Sequence, residues 1–444
     1  MDVTRRFLLD SALKGGAAAC GLTAARRMML LDLLAEDAAD PAPFQVARVE
    51  YAAEKGRMLS RLGFGMMRLP TRHGSIDEEL ADKMIDYAYR HGVNYFDTAW
   101  MYIGGKSQYY TGKVLEKYDR KSIFIVNKLP GNPGCQSLDK AKETFATQLK
   151  ACRTDYFDNY LCHAIGDWDD FQKRYLGMGI LDYLKSEREK GRIRHLGFSF
   201  HGGKEDLKHF LEIKDKAGWE FVMLQLNAND WRSEGRKFYE MVLETGLPVM
   251  AMEPLHGGRL AKLNVAARKK LAELKPGLSP AGWAFRFVTS LKNVTVALSG
   301  MSSMPDVIEN MNTFRDWQPL TEEDKKAYYD ICEKYQGKNL VPCTGCEYCI
   351  PCPHSVKIPE IFGLVNTLRI EGKLGPDGDG KGMSAADRKQ FLVMYKNKVG
   401  PRADAECCTA CGRCLEKCPQ HVKIVDELKK VAALVERVKK GGRV

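Results

Sequence analysis

Two runs of cysteine near the carboxyl terminus constrain the fold of this chain more than any other feature. Each run has four cysteines at short, regular spacing and ends in Cys-Pro. The eight are Cys343, Cys346, Cys349 and Cys352 in the first run and Cys408, Cys411, Cys414 and Cys418 in the second. Four thiolates hold one four-iron cluster, and runs that end in Cys-Pro are typical of such sites. The pattern therefore predicts two 4Fe-4S clusters, which would draw two distant segments together.

The two runs are predicted to share their ligands. In two-cluster ferredoxins the last cysteine of each run binds the cluster of the other run. By that rule Cys418 completes the first cluster and Cys352 completes the second. The first run departs from the bacterial pattern, because two residues rather than three separate Cys349 from Cys352. Cys407 could replace its neighbour Cys408 as a ligand, although the regular spacing favours Cys408.

Zinc and disulfide bonds are the alternatives for so many cysteines. Zinc sites commonly use two Cys-x2-Cys pairs set well apart, with no need for a third cysteine or a closing Cys-Pro. Cysteines only two residues apart are poor disulfide partners for one another. Five of the 14 cysteines lie outside residues 343–418 and are scattered, which does not indicate a disulfide framework. The predicted clusters would either transfer electrons or brace the fold.

The length and composition allow a large domain and a smaller one. The chain has 444 residues, of which 44% are hydrophobic and 28% are charged, as in ordinary soluble globular proteins. Its net charge of +11 is spread along the sequence, and no basic stripe with interleaved aromatic residues predicts a nucleic-acid partner. An acidic redox partner that docks near the tail would fit the same charge. No segment is long and apolar enough to predict a membrane span.

The first 40 residues have features of a targeting segment. Arg5 and Arg6 precede a weakly apolar run over residues 12–25, which resembles a twin-arginine export signal. That pathway carries proteins already folded around their cofactors, which would suit an iron–sulfur protein. Asp10 and Lys14 interrupt the apolar stretch, however, and no clear cleavage site follows. The alternative is an amphipathic leader helix, so the predicted location is either the periplasm or the cytoplasm.

Residues 58–336 alternate short apolar runs with amphipathic stretches. Strands are predicted at residues 57–65, 94–98, 122–128, 157–163, 193–200, 221–227, 247–254 and 294–300. Helices are predicted between them, among others at residues 78–91, 138–151, 180–190 and 205–217. Eight strand-then-helix units over about 250 residues predict an α/β fold of the (β/α)8 TIM-barrel type. A doubly wound open sheet is the alternative, but no Gly-x-Gly-x-x-Gly turn follows the first strand.

Polar residues follow three consecutive predicted strands at their carboxyl ends, where a barrel keeps its active site. They are Asp97 and Tyr102, then Lys128, then His163. A phenol with an ordinary pKa near 10 is a poor acid at neutral pH unless its anion is stabilised. Lys128 would stabilise the anion of Tyr102, Asp97 would hold the lysine in place, and His163 would bond a carbonyl oxygen. Taken singly, the residues have structural alternatives as a loop cap, a rim aromatic and a core histidine.

These segments resemble the aldo/keto reductase family. The matching stretches are residues 94–99 with Tyr102, residues 127–129 and residues 161–163, within a resemblance that covers roughly residues 58–335. The chain looks most like the bacterial branch with a carboxy-terminal 4Fe-4S ferredoxin-type domain. The resemblance implies that Asp97, Tyr102, Lys128 and His163 are catalytic, that the cofactor is NAD(P)(H), and that the substrate is a small carbonyl or alcohol. Three loop tryptophans, Trp100, Trp168 and Trp231, would either line an apolar substrate pocket or pack within their loops.

The same resemblance implies contacts to a nicotinamide cofactor. The residues are Ser199 and Gln225 at the nicotinamide amide, Leu255 and Gly257 in the pyrophosphate loop, and Gly300, Glu309 and Asn310 around the adenine. Phe200 and Met252 depart from the family, which often has an asparagine and an aromatic ring at these positions. Gly300 and Asp306 stand where members that grip the 2′-phosphate have cationic residues. The choice between NADH and NADPH, or another cofactor, therefore stays open.

The sequence thus predicts a leader at residues 1–40, a barrel at residues 58–336 and a helical ferredoxin-like domain at residues 337–444. Helices of that last domain are predicted at residues 359–370, 385–398 and 424–438. The predicted function is an aldo/keto reductase-type oxidoreductase whose clusters pass electrons to a one-electron redox partner. One alternative is an electron-transfer or redox-sensing protein whose barrel binds a ligand without nicotinamide catalysis. The other is a plain reductase with structural clusters.

Overall fold

The structure is a computed structural model that describes residues 43–131, 134–335, 337, 339–375, 377–400 and 402–441. The chain divides into two compact units. The first comprises Met1–Pro254 and Ala281–Thr321, and the second comprises Leu255–Pro280 and Glu322–Val444. The predicted leader lies outside the described residues. In the described part of the chain, no helix combines the length and the apolar character needed to cross a membrane.

The first unit is built around a closed barrel of eight strands. The strands of this unit, both inside and outside the barrel, are in chain order β1 (Arg48–Glu50), β2 (Met58–Ser60), β3 (Leu62–Gly65), β4 (Thr71–Arg72), β5 (Ser75–Ile76), β6 (Tyr95–Asp97), β7 (Phe124–Leu129), β8 (Phe157–Ile165), β9 (Ile193–Phe200), β10 (Phe221–Gln225), β11 (Val249–Met252) and β12 (Val294–Ser299). The barrel order is β3, β6, β7, β8, β9, β10, β11 and β12, with β12 closing on β3. Neighbouring barrel strands are parallel. The predicted (β/α)8 fold is confirmed.

Amphipathic helices connect the barrel strands. They are Glu78–Arg90, Lys106–Leu115, Leu138–Ala151, Trp168–Phe171, Ile180–Glu189, Lys204–Glu212, Lys214–Ala217, Arg236–Thr245, Pro280–Thr289 and Met304–Arg315, with π-helical turns at Gln172–Leu176 and Trp231–Gly235. Several begin at a polar cap, as where the side chain of Ser137 accepts from the N–H of Lys140 and that of Ser303 from the N–H of Asp306. Such caps satisfy N–H groups that the first turn of a helix leaves free.

The first predicted strand, residues 57–65, is two strands rather than one. The Ser60 hydroxyl donates to the carbonyl of Leu62 at 2.7 Å, and the N–H of Arg61 donates to the carbonyl of Ala47 at 2.9 Å. The chain therefore turns between β2 and β3, and β2 pairs antiparallel with β1. Leu59 of β2 and Tyr51, which follows β1, are fully buried among the residues that fill the barrel. Two adjacent apolar runs separated by one arginine looked continuous in the sequence.

The second unit is mainly helical. Its helices are Val265–Leu274, Glu322–Tyr335, Ile358–Ile370, Ala385–Val399 and Ile424–Lys439, with a 3-10 turn at Ala405–Cys407. The last three long helices share one apolar core, which includes the side chains of Phe362, Val365, Phe391, Leu428 and Leu434. Asn366, also buried, accepts from the N–H of Val341 at 2.9 Å and donates to its carbonyl at 2.8 Å. This amide fixes the backbone directly before the first cysteine run.

Candidate active site and metal centres

The four residues predicted to be catalytic meet at the carboxyl ends of three strands. Asp97 ends β6, Lys128 lies near the end of β7, His163 lies near the end of β8, and Tyr102 follows β6 in a loop. β7 pairs with β6 on one side and with β8 on the other, so the strands are neighbours. All four side chains are nearly buried, with exposed fractions from 0% for Lys128 to 9% for Tyr102. Residues that are far apart in sequence thus form one cluster.

Asp97 and Lys128 form a buried ion pair. The Nζ of Lys128 donates to Oδ1 of Asp97 at 2.5 Å and to the carbonyl oxygen of Thr98 at 2.8 Å. Burial raises the pKa of the Asp97 carboxyl and lowers the pKa of the Lys128 ammonium, and the attraction between the two charges opposes both shifts. The Oδ2 of Asp97 is buried and has no hydrogen-bond partner among the described residues. That oxygen is an acceptor that a bound hydroxyl would satisfy.

The phenol of Tyr102 lies between a cation and an imidazole. The Nζ of Lys128 is 4.9 Å from the centroid of the Tyr102 ring. The rings of Tyr102 and His163 meet edge to face, with centroids 6.2 Å apart and planes at 81°. An ammonium at this distance favours the phenolate over the neutral phenol. The arrangement therefore suits a tyrosine that gives up a proton during a reaction.

The loop that carries Tyr102 is held by a buried serine that the sequence did not point to. The N–H groups of Gly105 and Ser107 both donate to the carbonyl of Tyr102, at 3.1 and 3.2 Å. The Ser107 hydroxyl donates to the carbonyl of Met66 at 2.8 Å and lies 2.8 Å from the hydroxyl of Thr98. Ser107 is fully buried. A serine near the start of a helix is common, so its sequence position gave no signal of this role.

His163 is held as a neutral imidazole. Burial lowers the pKa of His163 well below its usual value, and the charges of Lys128 and His201 lower it further. A neutral imidazole still has one N–H to donate, so it can bond a carbonyl oxygen without carrying charge. The next residue, Ala164, has a φ of 51°, and its N–H donates to the Ser199 hydroxyl at 2.7 Å. Ser199 therefore fixes the backbone immediately after His163.

The other cofactor contacts proposed in the first unit are partly engaged with the protein itself. Ser199 is 1% exposed, and its hydroxyl accepts from Ala164 while keeping one proton to donate. The Gln225 amide donates to Asp230 at 2.6 Å. The Asn310 amide donates to the Ser299 hydroxyl at 3.0 Å. Glu309 lies half-buried on the same helix as Asn310, Met304–Arg315.

Arg68 is a cation beside the proposed adenine contacts that the sequence did not point to. It follows β3, and its side chain packs so closely on Gly300 that a Cβ there would lie 2.9 Å from the arginine Cδ. Its guanidinium is 3.9 Å from the Glu253 carboxylate. The Ser302 hydroxyl donates to the Arg68 carbonyl at 2.8 Å. Positions 300 and 306, where the family resemblance pointed for such a charge, carry no cation, and the Glu253 carboxylate offsets the charge of Arg68.

Leu255 and Gly257 belong to the second unit, where their loop packs on the start of the first cysteine run. Gly257 has a φ of 66°, and a Cβ there would lie 2.4 Å from the carbonyl oxygen of Thr344. Arg259 donates to the carbonyl of Val341 at 3.2 Å and also contacts the ring of His256. The left-handed backbone and the close approach both require glycine at position 257. The loop is thus fixed against the residues that flank Cys343.

The four thiols proposed for the first cluster lie close together. Cys349 is 9% exposed, and burial raises the pKa of its thiol. The charges of Cys346, Cys343 and Cys418 raise that pKa further, which requires their sulfur atoms to be near. The N–H of Gly345 points at the sulfur of Cys343, at 3.4 Å. Cys418 thus lies with three cysteines of the first run, as predicted if the last cysteine of each run binds the cluster of the other run.

The four thiols proposed for the second cluster line one cavity of about 260 Å³. They are Cys352, Cys408, Cys411 and Cys414, with apolar walls from Val356, Ile358 and Leu428. Burial raises the pKa of the Cys414 thiol, and the charges of Cys408, Cys352 and Cys411 act in the same direction. Cys349 of the first set also lines the cavity, and the other four thiols with the apolar wall fit a four-iron cluster.

Cys407 does not belong to that donor set. Its thiol donates to the Asp404 carboxylate at 3.3 Å, and this carboxylate raises the pKa of the thiol. Cys408, not Cys407, lines the cavity. Among the described residues, no group of three or more His, Cys, Asp or Glu side chains converges on a position for a single metal ion. Each thiolate of a four-iron cluster binds a different iron, so the thiols need not converge in that way.

Two of the loop tryptophans have packing partners. Trp168 stacks on His209 with centroids 5.2 Å apart and on Phe171 at 5.8 Å. Trp231 meets Phe287 edge to face at 5.4 Å. Trp100 is half-buried in the loop before Tyr102. For Trp168 and Trp231 these contacts support packing within the loops over lining a substrate pocket.

Two sequence families match the chain. The Aldo/keto reductase family matches residues 61–333, which is more than half of the chain. A family described as 4Fe-4S dicluster domain matches residues 342–424. The second match contains both cysteine runs, and the first contains the four residues around Tyr102. The alternative of zinc or disulfides for the tail is therefore not supported.

Relatives with curated names match along the barrel. An uncharacterized oxidoreductase of Bacillus subtilis, YqkF, is 24% identical over 298 residues, covering 61% of this chain and 91% of that protein. L-galactose dehydrogenase of Arabidopsis thaliana is 25% identical over 293 residues, covering 60% and 87%. NADH-specific methylglyoxal reductase of Escherichia coli is 26% identical over 221 residues, covering 46% of this chain and 65% of that protein.

Solved structures show the same barrel. The holo form of an aldo-keto reductase from Bacillus halodurans gives a TM-score of 0.53 at 23% identity, covering 65% of this chain and 96% of that one. Glycerol dehydrogenase from Gluconobacter oxydans gives 0.53 at 21% identity, covering 65% and 95%. At this level of identity the likeness concerns the fold alone. The family match and the barrel together establish that this chain belongs to the aldo/keto reductase family, as an oxidoreductase with a 4Fe-4S domain in its carboxy-terminal part.

Proposed function

We propose that this oxidoreductase interconverts a small carbonyl compound and its alcohol with a nicotinamide cofactor, and that Tyr102 is the general acid. The observation that carries the proposal is the buried cluster of Tyr102, Lys128, Asp97 and His163 at neighbouring strand ends. When bound, the nicotinamide supplies or accepts the hydride. The residues of the chain must then donate or accept one proton and stabilise the charge that develops on the carbonyl oxygen.

The proton comes from Tyr102 in the reducing direction. As the carbonyl oxygen gains negative charge, the phenol donates its proton and becomes a phenolate. The Lys128 ammonium, 4.9 Å from the ring centroid, stabilises that phenolate. Asp97 keeps the ammonium charged and in place through its 2.5 Å hydrogen bond. In the oxidising direction the same groups receive the proton.

His163 orients the carbonyl oxygen. Its pKa lies well below the usual value, so the imidazole is neutral at physiological pH and donates one hydrogen bond. A neutral donor beside Lys128 avoids a second positive charge next to the ammonium. Two donors, the phenol and the imidazole, would therefore define where the carbonyl oxygen binds.

The proposed cofactor is NADH in preference to NADPH. Gly300 and Asp306 provide no positive charge for a 2′-phosphate, and the Asp306 carboxylate would repel it. That carboxylate is fixed, because the Ser303 hydroxyl donates to it at 2.8 Å. Escherichia coli NADH-specific methylglyoxal reductase, whose name states the same choice, is among the relatives. The Oδ2 of Asp97, which lacks a hydrogen-bond partner within the described part of the chain, and the remaining proton of Ser199 are groups that a bound nucleotide can satisfy.

We also propose that the 4Fe-4S domain holds two clusters and that they exchange electrons with the barrel reaction. Cys343, Cys346, Cys349 and Cys418 would hold the inner cluster, and Cys352, Cys408, Cys411 and Cys414 the outer cluster. The close approach of Cys418 to Cys349 and the shared cavity of Cys352 with the second run support these sets. Oxidation of one alcohol releases two electrons, and two clusters that each accept one electron match that number.

The experiment that tests the proposal is an anaerobic titration of the cluster-replete protein with NADH and then NADPH. Binding is followed by calorimetry, and turnover is followed with a panel of small aldehydes and ketones. Tyr102→Phe should keep NADH binding but lose activity by about 10²- to 10⁴-fold, because it lacks the proton donor. Tyr109→Phe is the matched control, since that tyrosine is 56% exposed. If neither nucleotide binds, the nicotinamide proposal is wrong.

A second candidate function has a specific observation in its favour. The Gln225 amide already donates to Asp230 at 2.6 Å, so one proposed nicotinamide contact has a partner within the protein. Met252 also stands where many family members stack an aromatic ring on the nicotinamide. Both features would suit an electron-transfer or redox-sensing protein whose barrel binds another ligand. In the same titration that protein would show reducible clusters but no nucleotide binding.

A further inference from the structure

We propose that the outer cluster site is the electron port of the second unit and that its rim receives an acidic one-electron carrier protein. The inner and outer sites are the cysteine sets defined above, so the inference rests on the proposed two-cluster function. It adds the order of the two sites, the surface residues and the chemistry of the partner. Every contact that carries it lies within the second unit.

The two sites differ in their access to solvent. At the inner site Cys349 is 9% exposed and the other three cysteines are half-buried. At the outer site Cys411 is exposed, as are its neighbours Thr409 and Ala410. Electron transfer slows steeply with distance, so the cluster with an exposed ligand is the one that an external carrier can reach.

The inner site lies next to the loop that leaves the barrel strand β11. Gly257 approaches Thr344 so closely that a Cβ would lie 2.4 Å from its carbonyl oxygen. Arg259 of the same loop donates to the carbonyl of Val341 at 3.2 Å. Val341 and Thr344 flank Cys343, a ligand of the inner site. Within the second unit, the inner site is therefore the one that lies against the loop of Gly257 and Arg259.

The rim of the outer site is positively charged. Arg413 and Lys417 line the same cavity as the four outer cysteines, and both are exposed. Neither forms an ion pair with a carboxylate among the described residues. Glu416 precedes Lys417 in the sequence and is also exposed, but it does not line the cavity. Two unneutralised cations beside a solvent-reachable redox centre complement a negatively charged partner.

Two exposed apolar side chains complete the surface. Ile350, next to Cys349, is 38% exposed, and Leu415, next to Cys414, is 42% exposed. Cys349 and Cys414 line the same cavity, so both exposed side chains belong to residues that adjoin its lining in sequence. Small interfaces with a few apolar contacts and complementary charges are typical of transient redox encounters. The surface therefore fits a carrier that binds briefly, not a permanent subunit.

The transfer step itself is simple. The outer cysteines would hold the group that gives one electron to the carrier, which would be reduced by one electron, and no bond or proton would change hands. The inner cysteines would hold the group that restores this electron. The step needs no further reactant.

Two small oxidants of opposite charge test the port. Protein reduced with dithionite and freed of excess reductant is mixed in a stopped-flow instrument with ferricyanide or with hexaamminecobalt(III). Arg413→Glu and Lys417→Glu should each slow oxidation by ferricyanide on the order of tenfold at low ionic strength, and speed oxidation by the cobalt complex. The difference should vanish at high ionic strength, where charges are screened.

Lys389→Glu is the matched control, because this exposed lysine on helix Ala385–Val399 undergoes the same charge reversal away from the cavity. It should leave both rates unchanged. If all three variants alter the rates equally, or none does, the outer site is not the port. Iron content and cluster EPR must match the wild type in each variant. Since dithionite supplies the electrons, failure of the nicotinamide proposal would not affect this result.

A second readout does not depend on electron transfer. Chromium(III) oxalate is an anionic paramagnetic complex that speeds relaxation of any cluster signal it can approach. Power saturation of the reduced-cluster EPR signal should show weaker relaxation in Lys417→Glu than in the wild type or in Lys389→Glu. Equal relaxation in the three proteins would overturn the assignment of the rim.

Discussion

At the residue scale, Lys128 and Asp97 each depend on the other to keep its charge. Both are buried, and their hydrogen bond measures 2.5 Å. A buried ion pair contributes little net stability, because the loss of hydration offsets the attraction. Replacing only one of the two residues, however, leaves the other charged in the interior without a counter-charge. The pair therefore contributes more to the chemistry of Tyr102 than to the net stability of the fold.

Replacing Lys128 by Met should lower the free energy of unfolding by about 3–5 kcal/mol, because the Asp97 carboxylate then lacks a counter-charge. Lys128→Met/Asp97→Asn removes both charges and should recover most of the loss. Urea unfolding followed by tryptophan fluorescence measures the two. Neither variant should reduce carbonyl compounds. Equal stability of the single and double variants would contradict a buried, coupled pair.

The pKa of His163 makes the fold sensitive to mild acid. In the unfolded chain this histidine binds a proton near pH 6.5, whereas in the folded protein its pKa lies well below that value. As the pH falls below about 6.5, the unfolded state takes up a proton that the folded state does not. Stability should therefore fall with decreasing pH, by up to about 1.4 kcal/mol for each pH unit.

His163→Gln removes this proton uptake while keeping a polar side chain. Its free energy of unfolding should depend less steeply on pH between 6.5 and 5 than that of the wild type. Urea unfolding at several pH values gives the two slopes. His73→Gln is the control, because that histidine is exposed. Parallel slopes for wild type and His163→Gln would show that His163 is not kept neutral by the fold.

At the scale of elements, the loop after β11 is fixed by one steric contact. Gly257 and Gly258 both have a positive φ, of 66° and 86°. A Cβ at position 257 would meet Thr344, whereas a Cβ at position 258 would have nothing within 4 Å. Substitutions at these two positions therefore distinguish the effect of backbone strain from the effect of the steric contact with Thr344.

Gly258→Ala should cost about 1–2 kcal/mol, because alanine is strained at positive φ. Gly257→Ala should cost clearly more and should also reduce iron content, because the carbonyl of Thr344 must move beside Cys343. Thermal unfolding and iron analysis of the two variants measure the difference. If the two behave alike, the loop does not position the first cysteine run.

The sequence revealed the elements whose signal is local. The strand ends that carry Asp97, Lys128 and His163 were predicted because each follows its own apolar run. What it missed depends on contacts between distant segments. Arg68 reaches Gly300 from another strand, and Asn366 bonds Val341 through its side chain. Neither Arg68 nor Asn366 belongs to a recognisable sequence motif, because only the fold brings each of them to its partner.

At the scale of the whole molecule, the two cysteine runs are expected to share both clusters. Cys418→Ser should lower iron from about eight to about four atoms per chain, and Cys349→Ser should do the same. Because both belong to the inner cluster, the double variant should still hold about four. Loss of nearly all iron in that double variant would show that the runs do not exchange ligands. Cys407→Ser is the control and should keep about eight, since Cys407 bonds Asp404 instead.

The second unit also contains a segment from the middle of the chain, Leu255–Pro280. Thr344 leaves the ribosome 87 residues after Gly257, which it must contact. At about 5–20 residues per second, that delay is about 4–17 s. Before the later residues are made, Gly257 lacks its contact with Thr344, and helix Val265–Leu274 lacks helix Glu322–Tyr335, whose last carbonyl binds the Asn264 amide. Translation speed across residues 258–344 should thus set how long this segment is open to chaperones and proteases.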